Sequence, residues 1–312
     1  MEKKFDILSA GLMVFDIIAA PVDKTVFEND SNDIETIAFA TGGDAFNVAV
    51  SAAKTGKRVL MGGVVGNDMP GKFLLEEAEK YGIDTSAVSV SETYNSSCSV
   101  VLCDREGQRN FAYYGKANNS FDGSLITDEM IASASLLYVG SVMALKSLEY
   151  DNLTNLFKRA KALGTATVLD STWTNDGVWL PKIKDALAYT DIFIPSIYEA
   201  AEITGKSEPD DIIAELKKYG VKIAGVKLGK KGAKVEDIFM EAYYCSDEDK
   251  KDTTGAGDAF MCGFVAAYTE GRGLYECMQY ASAYSNCCIR EVGATTGIHS
   301  REQVEQTIKN NS

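Results

Sequence analysis

Asp252-Thr253-Thr254-Gly255-Ala256-Gly257-Asp258 leads straight into the apolar, small-residued run Ala259–Tyr268. Two glycines around an alanine let successive backbone N–H groups turn inward at the start of a helix, where the helix dipole also favours negative charge. The run behind them has the composition of a helix packed on a sheet, so the segment reads as a loop-to-helix transition in an α/β protein. Asp258 then falls in the first helical turn, beside any anion that the loop holds. A carboxylate next to a bound phosphoryl group suits a base that takes a proton from an attacking hydroxyl. The competing reading is a turn and a cap, with the aspartate stabilising only the helix N-terminus.

Working outward, short apolar runs alternate with helical patterns. Buried strands are expected at Phe5–Ala10, Val59–Val65, Leu136–Gly140, Ala166–Asp170, Asp191–Pro195 and Ile223–Leu228. Helices are expected at Ala45–Thr55, Lys72–Tyr81, Tyr150–Leu163, Asp210–Tyr219 and Ala259–Thr269, with Gly56, Gly82, Gly164 and Gly220 as C-caps. That order predicts right-handed crossovers and a mainly parallel sheet covered on both faces, within one domain spanning residues 1–312. The C-terminal third reads as helical, Leu274–Arg290 packing on the sheet. Segments 12–40 and 94–118 break the rhythm with alternating β patterns such as Ser97–Leu102 and Arg109–Tyr114. Arg105-Glu106-Gly107-Gln108 between those two reads as a hairpin turn. Both segments predict a small antiparallel sheet inserted into the main domain and capping one end.

Composition narrows the chemistry. The chain has 312 residues, 46% hydrophobic and 24% charged, as an ordinary globular protein does. A net charge of −14 with no basic run speaks against nucleic acid or an anionic membrane as partner. No stretch approaches the roughly 18 consecutive apolar residues of a membrane span. Met1-Glu2-Lys3-Lys4 leads into a strand-like run and not a secretory segment, so a cytoplasmic protein is expected. The seven cysteines, at 98, 103, 245, 262, 277, 287 and 288, are odd in number, scattered and free of CxxC pairs, the pattern of reduced thiols. A single histidine, His299, speaks against a Ser-His-Asp triad, a Cys-His pair or a histidine-rich zinc site, and reads as a surface or helix-start residue. Gly205-Lys206-Ser207 is no P-loop, because Ala200 stands where its first glycine would fall. Phe260 stands at the third glycine of a dinucleotide fingerprint. What remains is a phosphate site built from backbone amides.

A second glycine signature, Gly42-Gly43-Asp44-Ala45-Phe46-Asn47, opens the first long helical pattern. Its glycines let a ligand approach the backbone closely, and Asn47 offers a donor and an acceptor to a pair of hydroxyls. Together the two signatures resemble the paired signatures of the ribokinase, or PfkB, family of carbohydrate kinases, over essentially the whole chain. The resemblance implies a three-layer ribokinase-like α/β fold whose inserted segments, about 12–40 and 94–118, form a β lid over the sugar and a seam for a homodimer. It implies ATP- and Mg²⁺-dependent transfer of the γ-phosphoryl group to a hydroxyl of a small carbohydrate, a primary CH₂OH being the expected acceptor.

Residue roles follow from the same likeness. Asp258 is the expected base, and Gly255, Ala256 and Gly257 would donate N–H groups to the γ-phosphoryl oxygens. Asp16, Gly42, Gly43 and Asn47 would hold the sugar, while Asp44 would tune substrate choice or cap the helix. Lys227, Gly229 and Gly232 would border the nucleotide, together with Thr254. Glu199 would organise Mg²⁺ through water, with Ser196 standing where the family usually has asparagine. Asp252 would hold a monovalent cation, K⁺, or support its own loop. The Gly66-Asn67-Asp68 turn and Gly71 are expected to be structural. Arg109, Phe111, Tyr113 and Tyr114 on the lid are expected either in the pocket or in lid packing. Two rival readings stand beside the sugar kinase: a nucleoside kinase on the same scaffold, and a catalytically weak sugar- or nucleotide-binding regulator.

Overall fold

The structure, a computed structural model, describes residues 3–105 and 108–311. Its strands in chain order are β1 (Phe5–Gly11), β2 (Val14–Ala20), β3 (Thr36–Gly42), β4 (Val59–Gly66), β5 (Asp84–Ser91), β6 (Cys98–Cys103) and β7 (Arg109–Tyr114). They continue with β8 (Ala134–Gly140), β9 (Ala166–Leu169), β10 (Ile192–Phe193), β11 (Ile223–Lys227), β12 (Ala233–Val235) and β13 (Ile238–Met240). The large sheet runs β13-β12-β11-β10-β9-β8-β1-β4-β5, parallel except where β11, β12 and β13 pair antiparallel. β1 and β4 carry near-continuous apolar runs because central parallel strands are covered on both faces.

Adjacent residues of these strands point into opposite layers, which makes the fold three-layered. Ile7, Met61 and Leu136 pack with the helices Asp44–Lys54, Met69–Lys80, Ala256–Thr269 and Leu274–Cys288. Their neighbours Leu8, Leu60 and Leu137 pack with Asp151–Ala162, Leu180–Leu187, Ile197–Thr204 and Pro209–Lys218 on the other side. The sequence reading finds most of these elements to within a residue or two. Asp191–Pro195 shortens to the two residues of β10, and β5, whose Ser and Asp content masks it, is an edge strand that the pattern did not announce. Gly205 closes the Ile197–Thr204 helix at φ 68°, so the Gly-Lys-Ser triplet is a C-cap and not a phosphate loop.

Segments 12–40 and 94–118 supply a second sheet of order β3-β2-β6-β7. The expectation of an antiparallel sheet needs correction. β2–β3 and β6–β7 are antiparallel, but β2 and β6 run parallel. No hairpin links those two strands, so turn geometry does not dictate their direction. Glu106 and Gly107 of the expected hairpin turn lie outside the described residues; the strands flanking them pair antiparallel from Cys98↔Tyr114 to Cys103↔Arg109. The stretch between β2 and β3 is a short 3₁₀ turn, Lys24–Phe27, and irregular chain instead of further strand. Among the described residues, no helix is long and apolar enough to cross a membrane. All seven cysteines are free. His299 is exposed, its Nε2 2.8 Å from Glu291 Oε1.

Candidate active site

The parallel strands β1, β8, β9, β10 and β11 end on one rim, and most of the polar side chains below project from that rim, from a helix N-terminus facing it, from the loop before Gly255 or from the small sheet. Crevices outside the carboxyl ends of a parallel sheet are where such folds place ligands.

Gly255 opens the Ala256–Thr269 helix in the left-handed region, φ 75°, and a Cβ there would stand 2.6 Å from the Cα of Ala294. Only glycine meets both demands. Asp258 lies in the first turn beyond it. The helix Asp44–Lys54 points its own N-terminus at the same place, and Asn47 Nδ2 donates to Asp258 Oδ2 at 2.7 Å. The two glycine signatures, 211 residues apart, therefore meet side chain to side chain. Burial pushes the Asp258 carboxyl up to about 6, with Asp170 adding to the rise while Asn47 and Lys227 oppose it. Asn47 Oδ1 is buried and has no hydrogen-bond partner among the described residues. A buried acceptor left open in this way suits a ligand hydroxyl.

Asp16 rises from β2 against the backbone of Gly42, where a Cβ would collide with its carboxylate. Burial lifts the Asp16 carboxyl to about 7, against the pull of Arg109. Gly43, the N-cap of the Asp44–Lys54 helix, has φ 90° and would place a Cβ 2.5 Å from the Leu12 carbonyl oxygen. Asp44 accepts from Ser141 Oγ. Burial holds the Asp44 carboxyl well above the usual carboxylate range, and the charges of Asp258 and Asp170 push the same way.

Asp258 and Asp44 both open onto a cavity of about 500 Å³ that is also lined by Lys227, Gly229, Lys230, Lys231 and Gly257, and by Asp170 and Glu199. Lys227 Nζ sits 3.1 and 3.2 Å from the two oxygens of Asp170, and 3.6 Å from where a Cβ on Gly257 would be. Its ammonium thus stands over the Gly255–Gly257 turn. Burial favours the neutral amine of Lys227, but Asp170 and Glu199 outweigh it and keep the ammonium charged. Asp170 directly follows β9, is buried, and also accepts from Tyr138 Oη at 3.1 Å.

Ser196 and Glu199 form a capping box on the Ile197–Thr204 helix. Ser196 N donates to Glu199 Oε2 at 3.0 Å, and Glu199 N to Ser196 Oγ at 3.4 Å. Ser171 Oγ adds a 3.1 Å bond to the same carboxylate oxygen. Burial raises the Glu199 carboxyl, and Lys227 opposes the rise. Among the described residues, no cluster of three or more metal-ligating side chains exists. That donor set fits Mg²⁺, which keeps its waters and binds through one or two carboxylates plus substrate phosphates.

Arg109 crosses from β7 of the small sheet to the loop before Gly255. Its Nη2 lies 2.7 Å from Asp252 Oδ2, and its Nη1 donates to Thr254 Oγ1. Asp252 accepts further from Thr254 N and Gly293 N, both at 2.8 Å. Burial favours the neutral acid here, but these donors hold the Asp252 carboxyl below its ordinary value. Asp252 and Thr254 border a separate depression beside Arg109, and neither they nor Gly232 lines the larger cavity. Gly232 instead closes the β11–β12 turn through Leu228 N to Gly232 O, 2.8 Å. Tyr113 shares the Asp16 face of the small sheet, and its hydroxyl accepts from Asn118 Nδ2 at 3.1 Å. Phe111 and Tyr114 are exposed. Asp68 caps the Met69–Lys80 helix through Gly71 N at 2.9 Å, the structural part expected of that turn.

Sequence reasoning missed Asp170, Ser141, Tyr138 and Asn118. Asp170 carried a signal: an acidic residue closing an apolar strand run sits by construction on the carboxyl rim of the sheet, where such folds place ligands. Ser141 and Asn118 matter only through what the fold brings beside them.

Residues 4–301 match the family model described as pfkB family carbohydrate kinase. The chain is 27% identical over 286 residues to a 2-dehydro-3-deoxygluconokinase of Bacillus subtilis, covering 88% of each chain. It is 26% identical over 299 residues to a nucleoside kinase of Methanothermobacter thermautotrophicus, covering 96% of this chain and 94% of that one. In fold it matches a candidate ribokinase II from E. coli, solved with ATP and Mg²⁺, with a TM-score of 0.85 at 20% identity, covering 99% and 100% of the two chains.

Proposed function

This chain belongs to the pfkB family of carbohydrate kinases, and on that premise we propose that it moves the γ-phosphoryl group of ATP to a hydroxyl of a small sugar, with Asp258 as the base. The observation that carries this reading is the Asn47–Asp258 bond of 2.7 Å, which joins a hydroxyl-binding signature to an anion-binding one in a single crevice. Asp16, Gly42, Gly43 and Asn47 hold the sugar so that a primary CH₂OH lies against Asp258. A carboxylate raised to about 6 is a better proton acceptor near neutral pH than an ordinary aspartate. It takes the hydroxyl proton late, as the loose transition state transfers the phosphoryl group.

The N–H groups of Gly255, Ala256 and Gly257, backed by the helix dipole and by Lys227, receive the charge that spreads over the phosphoryl oxygens. Glu199 and Asp170 would hold Mg²⁺ through its waters, and the ion would neutralise triphosphate charge when bound. Gly229 borders the nucleotide; Thr254 and Gly232 act one step back, by shaping the loop and the turn. Asp252 supports the loop, and a K⁺ ion there would share its carboxylate with Arg109; leaving K⁺ out of the assay checks that point. The small sheet serves as a lid that excludes water. Its Ile37 and Phe39 lie exposed on one face, as a homodimer seam would need. Seven free cysteines support a reducing, cytoplasmic setting.

Asp258→Asn tests the base. The expected result is loss of turnover by at least about a thousandfold with ATP binding retained, the usual consequence of removing a catalytic base on top of its transition-state role. A regulator that merely binds ligand would lose little. A nucleoside acceptor is a second reading, favoured by Tyr113 and Phe111 on the Asp16 face of the lid and by the likeness to a nucleoside kinase. Nucleosides and sugars compared in one ADP-release assay separate the two.

A further inference from the structure

Asp252 stands just before the glycine turn, its side chain only 3% exposed, and its two oxygens are filled from three directions. Thr254 N reaches Oδ1 at 2.8 Å, while Gly293 N and Arg109 Nη2 reach Oδ2 at 2.8 and 2.7 Å. Arg109 also donates through Nη1 to Thr254 Oγ1, so its planar fork holds both side chains at once. The backbone oxygens around this carboxylate are taken in the same way. Cys288 Sγ lies 3.4 Å from the Thr254 carbonyl oxygen and 3.2 Å from that of Ala294. Burial pushes the Cys288 thiol up to about 12, which keeps its S–H in place to donate. Lys54 Nζ donates to Thr295 O at 2.8 Å, and Gln303 Nε2 to Gly297 O at 2.9 Å. A Cβ on Gly255 would stand 2.6 Å from Ala294 Cα, so the glycine turn is seated directly on this second loop. Where the Gly255–Gly257 N–H groups point therefore depends on how the two loops are clamped together. Of the groups in the clamp named here, only Arg109 comes from the small sheet.

Hard cations are held by several oxygen lone pairs at once. Here those oxygens already accept from the chain's own donors. Sharing Asp252 would also set a second positive charge beside the guanidinium on one buried carboxylate, where like charges are poorly screened. This donor set does not fit K⁺. We propose that Arg109 is the positioning residue of the Gly255–Gly257 turn, and that its guanidinium, brought by the small sheet, neutralises Asp252 in place of a free monovalent cation, so that turnover needs no K⁺. This rests on the kinase reading above. On it, the turn is set to receive a phosphoryl group only while β7 lies across the loop.

The test compares K⁺ with tetramethylammonium, a bulky cation that coordinates oxygen poorly, at equal ionic strength. Wild-type kcat, followed by ADP release, should agree within about twofold in the two salts, since screening is then the same. A larger enhancement by K⁺ overturns the inference and leaves the kinase reading standing. Arg109→Ala should lower kcat at least about tenfold, because a small displacement of groups that meet the transition state is costly. Guanidinium, kept well below denaturing concentrations, should restore part of that loss, and urea, its neutral analogue of like shape, should not. Wild-type turnover in Arg109→Ala, or equal effects of guanidinium and urea, overturns the inference. Melting supplies a readout without turnover. K⁺ should raise the melting temperature of Arg109→Ala by about 2 °C or more over tetramethylammonium, as a ligand of the native state alone does, and leave wild type unmoved. If no acceptor is turned over, the kinase reading falls and the melting comparison decides alone. A K⁺ shift confined to the variant then supports the role of Arg109, and a shift in wild type, or in neither protein, overturns it. Should Arg109→Ala fail to fold, Arg109→Gln takes its place in every comparison.

Discussion

Asp258 and Asp16 are both held protonated further up the pH scale than free aspartates, because each is wrapped in protein at the crevice. On the proposed reading, Asp258 has to be ionised to accept a proton, and an ionised Asp16 would be the stronger hydroxyl acceptor. Activity should therefore be full above about 7 and decline as the pH falls through about 6, the values to which burial lifts the two groups. Asn47→Ala removes a donor that favours the ionised form of Asp258, so the acid limb of its kcat/KM profile should move to higher pH while the sugar KM rises. A limb that stays put would mean that Asn47 touches only the sugar. Asp258 and Asn47 were legible in sequence because their chemistry lies within short local patterns. Asp170 and Ser141 were not, because an aspartate after β9 and a serine after β8 acquire partners only when distant strand ends line up on one rim.

At the scale of elements, the Arg109 link joins the small sheet to the loop before Gly255. Arg109→Ala leaves a buried Asp252 with two amide donors in place of three groups, so the fold should lose about 1–3 kcal/mol in a denaturant titration. The same variant should raise the sugar KM and let more ATP be hydrolysed without sugar, which a steady-state ADP-release assay with and without acceptor reads out. Arg109→Lys keeps the charge but not the fork, and should recover only part of either effect. The helices and central strands were readable because their periods are local, and Gly56, Gly82, Gly164 and Gly220 cap as expected, with φ of 88°, 67°, 73° and 105°. The direction of β2 against β6 was not, since it is set by a pairing across 80-odd residues instead of by a turn. β5 escaped for the opposite reason: it is an edge strand whose polar content hides its role in the core sheet.

For the molecule as a whole, one carboxylate ties three remote stretches. Glu270, at the end of the Ala256–Thr269 helix, meets Lys57 at 2.7 Å, Arg301 at 2.8 Å and Arg272 at 2.9 Å. Burial favours its neutral form, but the three cations outweigh that and hold it at about 2 against an ordinary 4.5. A depressed carboxylate contributes stability in full above its unfolded value and loses it as the pH falls through the folded one. Glu270→Gln should therefore melt below wild type at pH 7, and the gap should close between about 4.5 and about 2. A gap that persists at the lowest pH would point to packing in place of charge. The overall architecture was largely legible, because alternation of strand and helix along 312 residues admits few topologies; the charge hub was not, because nothing local links positions 57, 270 and 301.

Two of the small sheet's connections to the main body are very short: two residues separate β1 from β2, and a single glycine separates β3 from the Asp44–Lys54 helix. Short connections of this kind leave that edge of the small sheet little slack relative to the main body. Asp16 and Gly42 sit beside those connections, so on the proposed reading any tilt of the small sheet would carry both sugar contacts together. On that reading capture and release of the acceptor would be coupled, and lengthening either connection by a few residues should raise the sugar KM before it lowers kcat.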